Sequence, residues 1–98
     1  MKNYSFKAEL KKAIEIAKKY KIGRLYLVGS ALHGNPQKAN DYDFAIEGHT
    51  AGTFFQFYGE LYMAMSKEVD LIDLSGEQTL FKSIVRKEAK LIYEDRRI

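Results

Sequence analysis

Residues 42 to 46 read "YDFAI", a strand-forming run that Asp41 precedes and Asp43 interrupts. Side chains alternate across a strand, so Asp41 and Asp43 share one face while Tyr42 and Phe44 take the other. Two carboxylates about 7 Å apart on one face repel each other unless a cation lies between them. A carboxylate pair is costly beside a core, so whatever fold the chain adopts must offset it. Upstream, "RLYLV" (24 to 28) also reads as a strand and breaks at Gly29-Ser30, with residues 31 to 40 between that corner and the first aspartate.

The remaining elements fall into place around these two strands. Phe6, Leu10, Ala13, Ile14 and Ala17 recur at helical spacing with lysines between them, which predicts a first helix over about residues 4 to 21. Gly23 suits the left-handed residue that closes such a helix. "GNPQKAND" (34 to 41) is a loop by composition. From Thr50, Phe54, Phe57, Tyr58, Leu61, Tyr62 and Met65 form one wide apolar arc of a second helix, with Gln56 and Glu60 opposite and Phe55 and Met63 at or beyond its edge. "EVDLIDL" (68 to 74) is a third strand, Gly76 opens a turn into a third helix running to about Lys87, and "AKLIYE" is a short fourth strand or extended tail. Helix, strand, strand, helix, strand, helix, strand is the order of a small mixed sheet with helices packed against it, an α+β fold.

Length and composition fit one such domain over residues 1 to 98, with 46% apolar and 30% charged residues. No cysteine occurs, which excludes disulfides and thiolate metal sites. The N-terminal segment lacks the apolar core of a signal peptide, no window approaches a membrane span, and a cytoplasmic protein is expected. The net charge of +3 is mild. Lys11-Lys12 and Lys18-Lys19 recur at helical spacing as a solvated face, so no direct nucleic-acid binding is expected.

The chemistry that this residue set can support is narrow. Neither His33 nor His49 stands in a base-to-serine arrangement, and there is no thiol nucleophile. Carboxylate oxygens are hard ligands, and Mg²⁺ is commonly held by one or two carboxylates plus substrate phosphates. Glycine lets a backbone approach a phosphate closely, and a serine hydroxyl with nearby N–H groups can donate to its oxygens. A third carboxylate would complete a two-metal site. Asp70, sharing a strand face with Ile72 and Leu74, and Asp73, sharing the other with Val69 and Leu71, are both candidates, and periodicity does not choose between them.

Gly29-Ser30, residues 31 to 40, then Asp41-Tyr42-Asp43 and a later acidic strand resemble the minimal nucleotidyltransferase (MNT) family of the polymerase-beta superfamily. The order of elements and the ending "SIVRKEAKLIYE" are similar too, so the likeness covers nearly the whole chain. The resemblance implies a polymerase-beta-like nucleotidyltransferase fold and transfer of a nucleoside monophosphate from a nucleoside triphosphate to a hydroxyl. It implies that Asp41 and Asp43 bridge two Mg²⁺ ions and that Gly29 and Ser30 hold the β- and γ-phosphates. Asp70 matches the family's third carboxylate better than Asp73 and would bind the ion that lowers the pKa of the acceptor hydroxyl. Two positions depart from the family's pattern. His33 stands before Gly34 where an arginine is common, and it would meet phosphate with a partly charged ring instead of a permanent fork. Asn40 stands where serine usually precedes the first aspartate.

Members of this size generally act as antitoxins of small helical HEPN ribonuclease toxins, transferring AMP from ATP to a toxin tyrosine. The resemblance therefore implies a HEPN partner from an adjacent gene. A binding antitoxin with little turnover, and a nucleotidyltransferase acting on a small molecule or an RNA end, are the alternatives. The aromatic arc of the second helix is wider than one face of a small sheet usually needs; it reads first as core, with an interface for a partner or a second copy as the alternative.

Overall fold

The computed structural model describes residues 5–29, 34–35 and 39–96. Helix α1 (Phe6–Lys19) starts where the Ser5 side chain accepts a hydrogen bond from the Ala8 N–H at 3.1 Å, relieving one of the first turn's unpaired donors. Strands β1 (Arg24–Val28) and β2 (Asp41–Glu47) follow, then α2 (Thr53–Ala64), β3 (Glu68–Asp73), α3 (Leu80–Glu88) and β4 (Lys90–Glu94). Every element expected from the sequence is present, in the expected order. The last one joins the sheet as a strand, so the tail alternative falls.

The sheet runs β3-β2-β1-β4. β1 pairs antiparallel with both β2 and β4, and β2 pairs parallel with β3. A parallel pair needs a crossover, and α2 supplies it. The sheet separates two unequal apolar layers. Leu25, Leu27, Tyr42, Phe44, Ile46 and Val69 face the larger one, where Ala13, Ile16 and Ala17 of α1 meet Phe57 and Leu61 of α2. Val28, Ala45 and Leu74 face the smaller one, against Val85 of α3 and Ala89.

The close of α1 differs from expectation. Lys21, not Gly23, is left-handed, with φ 56°, and the Ile22 N–H bonds back to the Ala17 carbonyl at 2.9 Å. This is a Schellman closure with a lysine at the glycine-favoured position, stabilised by complete burial of Ile22. Gly23 serves another purpose. Its N–H donates to the Gly48 carbonyl at 2.7 Å, its carbonyl accepts from the Asp95 N–H at 2.8 Å, and a Cβ on Gly48 would lie 3.2 Å from the Gly23 Cα. Small residues are needed there because backbones crowd.

The arc of α2 is also narrower than its sequence pattern. Phe57, Leu61 and Met65 are buried, Phe54 and Tyr58 are half-buried, and Tyr62 is exposed together with Phe55 and Met63. Glu60 is tied to α1, accepting from Lys19 Nζ and Tyr20 Oη, both at 2.8 Å. No described helix is long and apolar enough to cross a membrane.

Candidate active site

Asp41 and Asp43 share the β2 face that looks toward α3, as alternation requires. The parallel register sets Asp43 beside Asp70 of β3. The result is a cluster in which Asp41, Asp43 and Asp70 each present a carboxylate oxygen, all within 4.8 Å of one another. Burial, then the charges of Asp41 and Asp70, hold the Asp43 carboxyl above the usual carboxylate range. Three hard oxygen donors gathered this closely fit a divalent cation such as Mg²⁺.

Asp73 is not part of this group. Its side chain is on the opposite face, where Oδ2 lies 2.9 Å from His49 Nε2 and Oδ1 accepts from the Ser75 N–H at 2.9 Å. The two candidates left open by periodicity are thereby distinguished in placement, since only Asp70 meets the β2 pair.

Gly29 ends β1 directly against the cluster. Val28 pairs with Asp43, and Gly29 has φ +75°. A Cβ built there would fall 2.1 Å from Asp43 Oδ2, so the position excludes a side chain on steric grounds as well as conformational ones. The glycine of the motif therefore gives Asp43 its room. Ser30 and His33, expected to bind phosphate, lie outside the described residues. Asn40 and Gly34 are described, and both are exposed.

Two supports of the site carry no obvious signal in the sequence. Glu9 of α1 is 2% exposed and accepts from the Tyr42 hydroxyl, from the Ser66 N–H at 2.7 Å and from Ser66 Oγ at 2.8 Å. Tyr42 stands between the two aspartates of β2, so this contact fixes the strand that carries them; burial and Glu9 push its hydroxyl pKa up to about 12. A carboxylate on the buried side of α1 breaks the apolar stripe, which is the only hint the sequence holds. On the other face, Glu47 accepts from Arg86 Nη2 at 2.9 Å, from Arg24 Nη1 at 3.3 Å and from the Tyr26 hydroxyl. Arg86 Nη2 also reaches the Leu74 carbonyl at 2.9 Å, so α3 is pinned to the sheet largely by polar contacts.

Between α3 and the sheet lies a cleft of about 350 Å³. Its floor is Gly29 and Asp43, and Val28, Ile72, Ile84, Val85 and Phe81 line it, with Glu88 at the end of α3. The spacing of Phe81, Ile84 and Val85 on the third helix is the signal that could have indicated this surface.

The fold has known counterparts. A chain of a toxin–antitoxin structure with AMP-PNP superposes with a TM-score of 0.70 at 23% identity, over 90% of this chain and 75% of that one. A structure of tri-AMPylated Shewanella oneidensis HEPN toxin in complex with MNT antitoxin gives 0.67 at 20% identity, over 93% and 74%. A minimal nucleotidyltransferase gives 0.66 at 18%, over 86% and 89%. At such identities these likenesses concern the fold. No curated protein sequence matches. The sequence pattern of the family "Polymerase beta, Nucleotidyltransferase" matches residues 11–98, and with its three carboxylates and its obligatory glycine on one sheet face the chain belongs to that family.

Proposed function

We propose that this chain, acting as a single cytoplasmic domain, is a Mg²⁺-dependent nucleotidyltransferase that transfers AMP from ATP to a tyrosine hydroxyl of a HEPN ribonuclease toxin, and so serves as its antitoxin. The observation that carries this reading is the meeting of Asp41, Asp43 and Asp70 within 4.8 Å beside a glycine that cannot bear a side chain. The three aspartates would hold two Mg²⁺ ions, which, when bound, neutralise triphosphate charge and make the acceptor hydroxyl more acidic. Gly29 and Ser30, with His33 beyond them, would receive the β- and γ-phosphates.

The acceptor oxygen forms a bond to the α-phosphorus as the bond to the bridging oxygen breaks. Pyrophosphate leaves with that electron pair, and the hydroxyl proton passes to solvent. The chain's own contribution is placement: β2 and β3 hold the carboxylates in register, and Glu9 holds Tyr42 between two of them. The acceptor and partner are supported by the structural likeness to a chain from an AMPylated HEPN toxin–MNT antitoxin complex. Phe55, Tyr62 and Met63, exposed on α2, provide apolar surface that a protein partner would cover.

The test is incubation with α-labelled ATP, Mg²⁺ and a HEPN protein encoded beside this gene, next to an Asp41→Asn/Asp43→Asn variant. Label should appear on the HEPN protein only with the intact aspartates. Tight binding and neutralisation of the toxin without label would overturn transfer as the mechanism.

A further inference from the structure

The three aspartates of the cluster are not held alike. Asp43 lies between two strands, opposite Val28 of β1 and beside Asp70 of β3. The described β1–β2 pairing ends there, two residues short of Asp41. Asp41 meets Glu68, at the start of the edge strand β3. A strand end supported from one side frays readily, and the charges of Asp43 and Asp70 push against this one. Its carboxylate nevertheless reaches within 4.8 Å of both. Something besides the sheet must hold the start of β2.

Lys67, in the joint between α2 and β3, does so. Its Nζ donates to the Ala39 carbonyl at 2.5 Å and lies 5.4 Å from the centre of the Tyr42 ring. A charge-assisted hydrogen bond is roughly twice as strong as a neutral one, and an ammonium within about 6 Å of a ring face is attracted to it. Both contacts fall on the chain that enters β2, with Ala39 before Asp41 and Tyr42 after it. The preceding residue, Ser66, reaches Tyr42 through Glu9, so the joint grips the same stretch twice. The Tyr42 ring belongs to the larger apolar layer, on the side of the sheet away from the carboxylates. Lys67 therefore acts on them through the backbone.

We infer that Lys67 is a positioning residue for the metal site: it holds Ala39 and Tyr42, and through them keeps Asp41 in register with Asp43 and Asp70. The inference rests on the cluster's being a divalent-cation site, as the proposed function requires, and adds a side chain that keeps it assembled.

Charge and placement predict opposite outcomes when Lys67 is replaced. By electrostatics alone, removing a positive charge near a cation site tightens Mg²⁺ binding. Lost placement weakens it, because replacing groups that orient metal ligands costs about 10–100-fold in affinity. A merely structural lysine would lower the melting temperature and leave Mg²⁺ affinity where it was.

The experiment titrates Mg²⁺ into wild type, Lys67→Met, Lys67→Arg and Lys19→Met, reading the melting temperature without nucleotide and again with AMP-PNP. Lys19→Met removes an ammonium bonded to Glu60 at 2.8 Å and controls for the loss of a charged link. Lys67→Met should raise the Mg²⁺ concentration at half-maximal stabilisation by about tenfold or more. Lys67→Arg, whose guanidinium also donates to carbonyls and stacks on rings, should stay near wild type, as should Lys19→Met. If Lys67→Met does not fold, Lys67→Gln takes its place and should move the midpoint in the same direction. An unchanged or lowered midpoint, or an equal rise in Lys19→Met, overturns the inference while the wild-type response leaves the cation site standing. A wild type that responds to Mg²⁺ in neither titration removes that site, and the inference with it.

Discussion

Replacing Asp43 by asparagine should make the metal-free protein more stable while abolishing its response to Mg²⁺. The carboxylate oxygens of Asp41, Asp43 and Asp70 lie within 4.8 Å of one another. At that separation each like-charged pair costs about 0.9 kcal/mol in a water-like medium and about 3.5 kcal/mol at an effective dielectric constant near 20. Asp70 is exposed and Asp43 only half-buried, so the water-like figure applies. Asparagine removes two of these pairs, and a gain of about 1–2 kcal/mol is expected. For a domain of this size that raises the melting temperature by roughly 5–10 °C.

The assay is thermal melting in chelator and again in Mg²⁺, with Asp73→Asn as the control. Asp73 is on the other face and bonded to His49, so its replacement should lower the melting temperature. The pH dependence has a definite sign. Asp43's carboxyl is raised on folding by burial and by its two acidic neighbours. Its contribution favours the native state below the unfolded pKa and is lost as the pH rises through the native value. The advantage of Asp43→Asn should therefore shrink as the pH falls through the native value and be gone below about pH 4. A metal-free Asp43→Asn protein that melts below wild type, or a wild type that Mg²⁺ does not stabilise, would refute the claim that these like charges are brought together for a cation.

Gly29→Ala places a Cβ 2.1 Å from Asp43 Oδ2 at φ +75°, so it should destabilise by about 1–3 kcal/mol in urea titration and lower AMP transfer by about 10²-fold through displacement of Asp43. Glu9→Ala strands the Tyr42 hydroxyl and the Ser66 donors and should cost about 3 kcal/mol, with Tyr42→Phe costing about 1 kcal/mol, both read by urea midpoints. His49 has a carbonyl acceptor at Nδ1 (Thr50, 3.1 Å) and a carboxylate at Nε2 (Asp73, 2.9 Å), a pairing fully satisfied only by the imidazolium. Burial works against that charge, but Asp73 and the Thr50 carbonyl outweigh it and raise the His49 pKa. The stabilisation is present below about pH 6.5 and lost as the pH rises through the native value, so His49→Gln should flatten this part of the melting profile.

Much of this was readable from period and spacing, because the features concerned depend on alternation and on local chain geometry. That Asp41 and Asp43 share a face follows from the two-residue repeat of a strand whatever its neighbours are. The choice between Asp70 and Asp73 does not, since it depends on which strand lies beside β2 and in which register, and those are properties of pairing. Tyr62 looked buried because a helical wheel shows what could face inward, whereas the width of the sheet decides what does. Gly23 looked like a helix stop because glycine so often is one. Its place is instead fixed by Gly48 and Asp95, residues distant in sequence. Glu9 and the Glu47–Arg86 contact are likewise partnerships across 33 and 39 positions, beyond any local pattern.

The two sides of the sheet differ in a way that bears on motion. Helices α1 and α2 bury side chains completely against it, but α3 has no fully buried residue and is held chiefly through Arg86 and through Lys82, whose Nζ donates to the Ser75 and Glu77 carbonyls. Local opening is cheapest where buried apolar contact is least. Amide protons of α3 should therefore exchange with solvent well before those of α1 and β2, without unfolding of the chain. The strands that aim Asp41, Asp43 and Asp70 are thus a firm floor, and the cleft beside Asp43 has in α3 a yielding roof that can open while those strands stay still.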